Sequence, residues 1–218
     1  MLQKYFTKLA NMKFAIVFLS ILALSFSAPQ PRKLFHEHAE DFLDLIFEES
    51  FDEITHIMEH YLEFEEFTRS LDYIRTSNFK DLVYEMESLP EFKAMIDFLE
   101  QDNIDIMFFI ERLNEMIEDI QELKKARHTL SGRDMTAYIN DVVAVFPKEK
   151  LTALYEQKIA EDEEFRVAME NLQGEEWKQI WDALWSSETF LEEAKTLYEN
   201  GIDLQVLLYE LKAMFGQF

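Results

Sequence analysis

Residues 103–117 read NIDIMFFIERLNEMI, and the pattern returns without a gap at residues 201–215 as GIDLQVLLYELKAMF (201 − 103 = 98). In each copy an aspartate, Asp105 or Asp203, stands where a helix N-cap is expected, and apolar residues then recur at helical spacing. A further apolar residue falls on the opposite side of each helix. Because a helix that is apolar on two sides is buried on two sides, the pair is predicted to form the inner helices of an internally duplicated, all-helical fold.

The same offset extends over much of the chain on either side of these helices. It aligns large apolar residues with one another over some 50 positions, as a duplication requires. We therefore predict one domain built from two six-helix repeats, residues 28–130 and 131–218, with about twelve helices in total. The aligned pairs include Phe67 with Phe165, Phe79 with Trp177, Val83 with Trp181, Phe92 with Phe190 and Leu113 with Leu211.

Composition agrees with a helical protein that has a substantial core. The chain has 218 residues, of which 48% are hydrophobic, and it contains only 4 Gly and 4 Pro. These proportions favour helix over sheet or disorder. Apolar spacing predicts separate first and second helices around residues 42–46 and 54–62. Asn78 is predicted to cap the fourth helix, and Ser88 with Glu91 to form a capping box for the fifth.

The charge of the chain argues against partners that present negatively charged phosphates. The formal net charge is −23, and lysines and arginines form no extended cluster. Because binding to phosphates requires such clusters, no nucleic-acid partner is expected, and neither is electrostatic docking on anionic membranes. We interpret the acidic residues as a solvated surface that keeps an apolar-rich protein soluble. No obligate protein partner is evident.

Residues 1–27 have the pattern of a secretory signal peptide. Three lysines precede the apolar run at residues 14–24, and Ser25 and Ser27 occupy the small-residue positions before a cleavage site. The run is too short to cross a bilayer comfortably, which disfavours the alternative of a membrane anchor. Since the chain has no cysteine, a secreted form must be stabilised by packing, with or without a bound ligand, and not by disulfides.

One segment resembles a catalytic motif. His56-Ile57-Met58-Glu59-His60 matches the His-x-x-Glu-His pattern of inverted zinc metalloproteases, in which two histidines share the metal and the glutamate polarises a water. The apolar residues of this helix, however, turn His56, Glu59 and His60 to the solvated side, and no third ligand is found. We interpret these histidines as exposed, with adventitious surface metal binding as the alternative. No catalytic residue, resident metal or cofactor is predicted, and no enzyme activity is expected.

The apolar interior leaves two interpretations open. The chain contains 20 Phe and 10 Met, and methionine suits surfaces that adapt to variable ligands. Helices that are apolar on two faces can fill a core, or they can enclose a cavity for an apolar ligand. Composition alone favours the filled core, and periodicity cannot separate the two.

The segment Glu87-Ser88-Leu89-Pro90-Glu91-Phe92-Lys93, followed by Asn103-Ile104-Asp105-Ile106, resembles the insect allergen-related repeat family. The Glu66-Phe67 pair before a helix, the secretory signal and the doubling are also similar to that family. It includes the major cockroach midgut allergen, midgut microvilli proteins and the nitrile-specifier proteins of caterpillars. A single pair of repeats fits the midgut microvillar type best. In the second repeat, Ser187-Glu188 replaces Leu89-Pro90 and departs from the pattern.

The resemblance implies a shell of about a dozen amphipathic helices around a large hydrophobic cavity that holds fatty acids or phospholipid chains. The protein would then be secreted to the gut lumen or microvillar surface, where it would exchange acyl chains with membranes or micelles and perturb or lyse them. A detoxification protein of the nitrile-specifier type and a ligand-free structural protein are the alternatives. The residues that the resemblance places along the cavity are Phe79, Val83, Phe92, Ile106, Phe109, Ile110, Leu113, Met116, Trp177, Trp181, Phe190, Leu204, Leu207, Leu208, Leu211 and Met214.

Overall fold

The computed structural model describes residues 33–119 and 130–216, and these ranges contain eleven helices. The predicted all-α class is therefore confirmed, whereas the predicted signal peptide, residues 1–27, lies outside the described residues. Within the two ranges, no helix is both long and apolar enough to cross a membrane. In chain order the helices are α1 (Phe35–Tyr61), α2 (Glu65–Ile74), α3 (Ser77–Ser88), α4 (Pro90–Gln101), α5 (Ile106–Asp119), α6 (Met135–Ala144), α7 (Lys148–Glu161), α8 (Glu163–Asn171), α9 (Glu175–Leu184), α10 (Glu188–Glu199) and α11 (Leu204–Met214).

The first helix is longer than predicted. Instead of separate helices around residues 42–46 and 54–62, α1 runs without a break over 27 residues. The intervening residues include neither proline nor glycine, so nothing in the sequence interrupts the backbone hydrogen bonds. Ser50, only 3% exposed, and Ile54 continue the buried face of the helix through the supposed gap. The prediction of two helices is therefore wrong.

The corresponding stretch of the second half is divided between α6 and α7. Pro147 stands at the N-cap of α7, and a proline there ends the preceding helix because it lacks an N–H group and its ring clashes with the preceding turn. The carbonyl of Val145, at the end of α6, accepts a hydrogen bond of 2.7 Å from the hydroxyl of Ser50. A buried serine of α1 thus satisfies a carbonyl that the helix break leaves open.

The remaining helices begin at matching positions in the two halves. Helices α2 to α5 begin at residues 65, 77, 90 and 106, and helices α8 to α11 begin at residues 163, 175, 188 and 204. Each start in the second half lies at the offset that the sequence shows. The domain boundaries at residues 28–130 and 131–218 stay a prediction.

The predicted helix caps are partly wrong. The hydroxyl of Thr76, not the side chain of Asn78, accepts the hydrogen bond that caps α3. Helix α4 begins at Pro90, a residue that fits the first turn because its missing N–H would have no helical partner there. Ser88 is therefore the last residue of α3 and forms no capping box. Asp203 caps α11 as predicted, with its carboxylate accepting from two N–H groups of the first turn.

The two halves of the chain pack against each other in a reciprocal way. Helix α3 packs on α10, and α4 packs on α9. By the sequence offset α3 corresponds to α9 and α4 to α10, so the same pair of helices meets twice with the halves exchanged. The main buried cluster spans both halves, and its largest fully buried side chains include Phe42, Phe67 and Phe190.

Polar contacts hold the start of α1 against the second half. The ring of His38 lies with Nε2 3.2 Å from an Asp162 oxygen and with Nδ1 3.1 Å from the Lys158 ammonium. The ammonium of Lys158, which is 7% exposed, also bonds to the carboxylate of Asp41. The same carboxylate accepts a bond from Lys33. Because the ammonium donates, Nδ1 accepts, and the neutral ring carries its proton on Nε2. Burial and the charge of Lys158 lower the pKa of His38, while Asp162 acts in the opposite direction.

Candidate functional site

Burial separates the predicted cavity residues into three groups. Phe79, Phe190 and Met214 are buried, at 7%, 2% and 6% exposure. Leu211 is 50% exposed. The other predicted residues are partly exposed. Most of the apolar side chains on α5, α9 and α11 are thus neither fully buried nor fully in solvent.

Packing divides the predicted residues further. The buried three belong to the main cluster, and others pack against it (Val83, Phe92, Leu113, Leu204 and Leu207) or against a smaller cluster (Ile106 and Trp177). A last group is partly exposed and packs against neither buried cluster in the part of the chain that the structure describes. We call this group the open set, and it consists of Phe109, Ile110 and Met116 of α5, Trp181 of α9 and Leu208 of α11.

Helix α5, which carries most of the open set, is fixed at its start by α1 and α4. Asp105, predicted as the N-cap, instead accepts a 3.0 Å hydrogen bond from the backbone N–H of His36 and also bonds to that ring. The capping role passes to Glu100 of α4, which accepts from the N–H of Met107 at 2.9 Å. The ring of His36 stacks on Phe108 with 4.0 Å between centroids. Helix α1 therefore covers one apolar side of α5, which explains why that helix is apolar on two sides.

A row of aromatic rings crosses α4, α9 and α10. The chain has 3 tryptophans, and α9 with its C-cap residue carries all of them one turn apart. Consecutive ring centroids from Phe98 through Trp177, Trp181 and Trp185 to Phe190 are 5.6, 5.9, 5.9 and 5.1 Å apart. We call these rings the aromatic row. Phe98 and Trp185 were absent from the prediction, although the one-turn spacing of the tryptophans was visible in the sequence.

One polar pair lies between α3 and α5. The side-chain amide of Asn114 donates a hydrogen bond of 3.2 Å to a carboxylate oxygen of Glu87. Burial raises the pKa of Glu87, and the hydrogen bond from Asn114 opposes that shift. The amide oxygen of Asn114 is buried and has no hydrogen-bond partner in the described residues. Beside Leu113, α5 thus carries a polar atom able to accept a hydrogen bond.

The metalloprotease-like segment lies at the surface. His56, Glu59 and His60 are exposed on α1, as predicted from the buried positions of Ile54 and Met58. Throughout residues 33–119 and 130–216, there is no group of three or more His, Asp or Glu side chains that could hold a metal ion.

A pocket of about 280 Å³ lies between α6, the start of α7 and the end of α11. Its lining shares no residue with the predicted cavity contacts. Sequence reasoning missed it because α6 and α7, which are neighbours in the chain, meet the distant helix α11 only in the folded structure. The lining residues are Asn140, Val143, Ala144, Lys148, Tyr209, Glu210, Lys212 and Ala213.

Comparison with known protein families identifies the family of the chain. The family model described as insect allergen related repeat, nitrile-specifier detoxification, matches residues 35–208. That range is well over half of the chain, and it runs from the start of α1 into α11. A comparison with curated proteins gives no match.

Proposed function

The chain belongs to the insect allergen related repeat family, and from that premise we propose that it is a secreted, non-enzymatic lipid-binding protein of the insect gut. It holds the acyl chains of fatty acids or phospholipids in an internal apolar cavity lined by α5, α9 and α11. It exchanges them with membranes or micelles at the gut lumen or microvillar surface, and this exchange perturbs the membrane. The family description also names nitrile-specifier detoxification, which is the alternative.

The observation that carries the proposal is the open set. Its large apolar side chains come from three helices and have no packing partner in either buried cluster of the described residues. Removal of apolar surface from water contributes about 25 cal/mol per Å² of free energy. An acyl chain that covers these side chains therefore stabilises the complex in the way that a contact in the core stabilises the fold. Burial of each CH2 group contributes ~0.8 kcal/mol, and a long acyl chain therefore contributes on the order of 10 kcal/mol before entropy losses.

The aromatic row gives a direct test of where an acyl chain binds. Since all 3 tryptophans lie together on α9 and its C-cap, the intrinsic fluorescence of the protein reports on this one region. Titration with a fatty acid brominated in its alkyl chain should quench that fluorescence, because bromine quenches indoles on contact. Unbrominated stearate should not quench, and it should restore the fluorescence by competition. Absence of quenching by the brominated acid would contradict the proposed site.

A matched pair of variants separates the open set from other apolar surface. Ile110→Asn places a polar group in the open set and is expected to weaken stearate binding by about tenfold, the equivalent of about 1.4 kcal/mol. Leu191→Asn makes the same kind of change on α10, where Leu191 is 43% exposed and lies outside the predicted site, and should leave binding unchanged. Equal affinity of the two variants would refute the assignment of these residues.

The nature of the core is tested independently of any added ligand. The protein is purified under native conditions, and its mass is measured by native mass spectrometry before and after solvent extraction. Co-purifying acyl chains are expected, with release of fatty acids or phospholipids on extraction. A protein that carries no lipid and takes none from labelled liposomes would favour the ligand-free structural alternative.

A further inference from the structure

We propose that the pocket between α6, α7 and α11 binds a small amphipathic carboxylate, at a site separate from the open set. The apolar part of the lining consists of Val143, Ala144 and Ala213. Polar groups from all three helices surround it, and they include two lysines and one glutamate. The arrangement combines an apolar surface for a short alkyl body with cationic groups for the acid.

The charge of the pocket is opposite to that of the protein. The chain carries 44 acidic against 21 basic residues, yet Lys148 and Lys212 outnumber the single glutamate of the lining, Glu210. Helix α7 begins at Lys148, and no side chain caps its first turn, so the helix dipole adds to the positive potential of the two ammonium groups, while Glu149 in the same turn offsets part of it. In a protein of formal charge −23, this local reversal favours an anionic ligand.

One of the two ammonium groups is held in place by an aromatic ring. The Nζ atom of Lys212 lies 3.8 Å from the centroid of the Tyr209 ring, well within the range of a cation–π contact. Tyr209 is 62% exposed, so most of its ring is available to be covered by a ligand. Burial of a tyrosine ring removes a large apolar area from water. A bound molecule with an alkyl body would cover the ring while its carboxylate pairs with Lys212.

The size of the pocket selects among anionic ligands. Its volume of about 280 Å³ lies near the lower end of ligand pockets, which are roughly 300–1,000 Å³. A small carboxylic acid fits such a volume, whereas the whole of a long-chain fatty acid does not. The apolar surface beside the lysines distinguishes an amphipathic acid from inorganic phosphate, which offers charge but no alkyl body. The ligand is therefore either a free short-chain acid or the head end of a longer one.

The test uses sodium octanoate with the full-length protein, measured by isothermal titration calorimetry at low salt. Octanoate is expected to bind, and the double variant Lys148→Met/Lys212→Met should weaken that binding by at least about tenfold. Lys195→Met serves as the control, since Lys195 lies on α10, is 74% exposed and pairs with Glu199. Ala144→Phe places a ring in the pocket from an exposed position and should abolish binding without any change in charge.

Further arms test the chemical class of the ligand and separate this proposal from the proposed function. Competition by inorganic phosphate as strong as that by octanoate would overturn the amphipathic class, as would equal binding of neutral octanol. Brominated stearate should still quench the tryptophans of the double lysine variant if the two sites are separate. Octanoate binding that Ile110→Asn weakens but Lys148→Met/Lys212→Met leaves intact would place the ligand in the open set and refute the pocket.

Discussion

Replacement of Gly201 by alanine is expected to lower the free energy of unfolding by about 3 kcal/mol. Gly201 follows the last turn of α10 with φ +80°, and it directs the chain into α11. The N–H of Gly201 donates to Tyr198 and that of Ile202 to Leu197, each at 2.9 Å, as in a Schellman motif. The turn therefore requires a left-handed residue, and it sets the direction of a helix that contributes to the proposed lipid site.

Three contributions make up the expected loss. A left-handed alanine costs about 1 kcal/mol relative to glycine. A Cβ atom at Gly201 overlaps the hydroxyl of Ser70, which is fully buried and donates a 3.2 Å hydrogen bond to Glu66. Displacement of that hydroxyl forfeits about 1 kcal/mol of hydrogen bonding, and the crowding of a packed site adds about 1 kcal/mol. For a chain of this size the melting temperature should fall by roughly 6–12 °C.

The equivalent turn of the first half provides the control. Asn103 is the residue that the sequence repeat aligns with Gly201. It also has a positive φ, at 58°, and it leads from α4 into α5. Asn103→Ala is expected to cost no more than about 1 kcal/mol, because the left-handed conformation is its main penalty. Differential scanning calorimetry and urea unfolding of both variants measure the difference. Adding Ser70→Ala to Gly201→Ala should recover part of the loss; equal losses in the two single variants, without coupling to Ser70, would refute the reasoning.

Three further predictions concern polar contacts in the core. Because the pKa of His38 is lowered in the folded protein, the unfolded chain binds a proton there more readily, and the free energy of unfolding should decrease as pH drops through about 6.5. Urea titrations between about pH 7.5 and 5.5 should show this decrease, and His38→Gln should remove it. Lys158→Met should cost about 2 kcal/mol, since it leaves the buried Nδ1 of His38 unpaired and takes from Asp41 one of its two ammonium partners; an unchanged urea midpoint would contradict this. Tyr61→Phe removes the 2.6 Å hydrogen bond to Asp141 and should cost about 1 kcal/mol in thermal unfolding, whereas no loss would show that water replaces the contact.

The helical class and the positions of most helices could be predicted because apolar spacing is a local property of the sequence. Helix ends were harder to place. Thr76 and Asn78 are both good capping residues, and only the three-dimensional structure shows which one accepts the hydrogen bond. The length of α1 was missed because its polar middle reads as a gap, although Ser50 in that middle is buried against the end of α6. A polar residue buried by a distant helix leaves no local signal.

The candidate site was predicted in the same partial way. Residues such as Phe79 and Ile110 share the apolar spacing of an inner helix, yet the first lies in the main cluster and the second packs against neither cluster of the described residues. Periodicity gives the side of a helix on which a residue lies but not what covers that side. The pocket beside Lys148 was not predicted at all, since its character depends on two lysines that are 64 positions apart (212 − 148 = 64).

The reciprocal packing of α3 on α10 and of α4 on α9 has a consequence for digestion. The basic residues between 124 and 133 offer sites to trypsin-like proteases. After a single cut there, each fragment would still pack one α3-type helix and one α4-type helix against the other fragment. The two fragments should therefore stay associated without a covalent link. The nicked protein should therefore migrate as one particle in solution and as two bands in a denaturing gel.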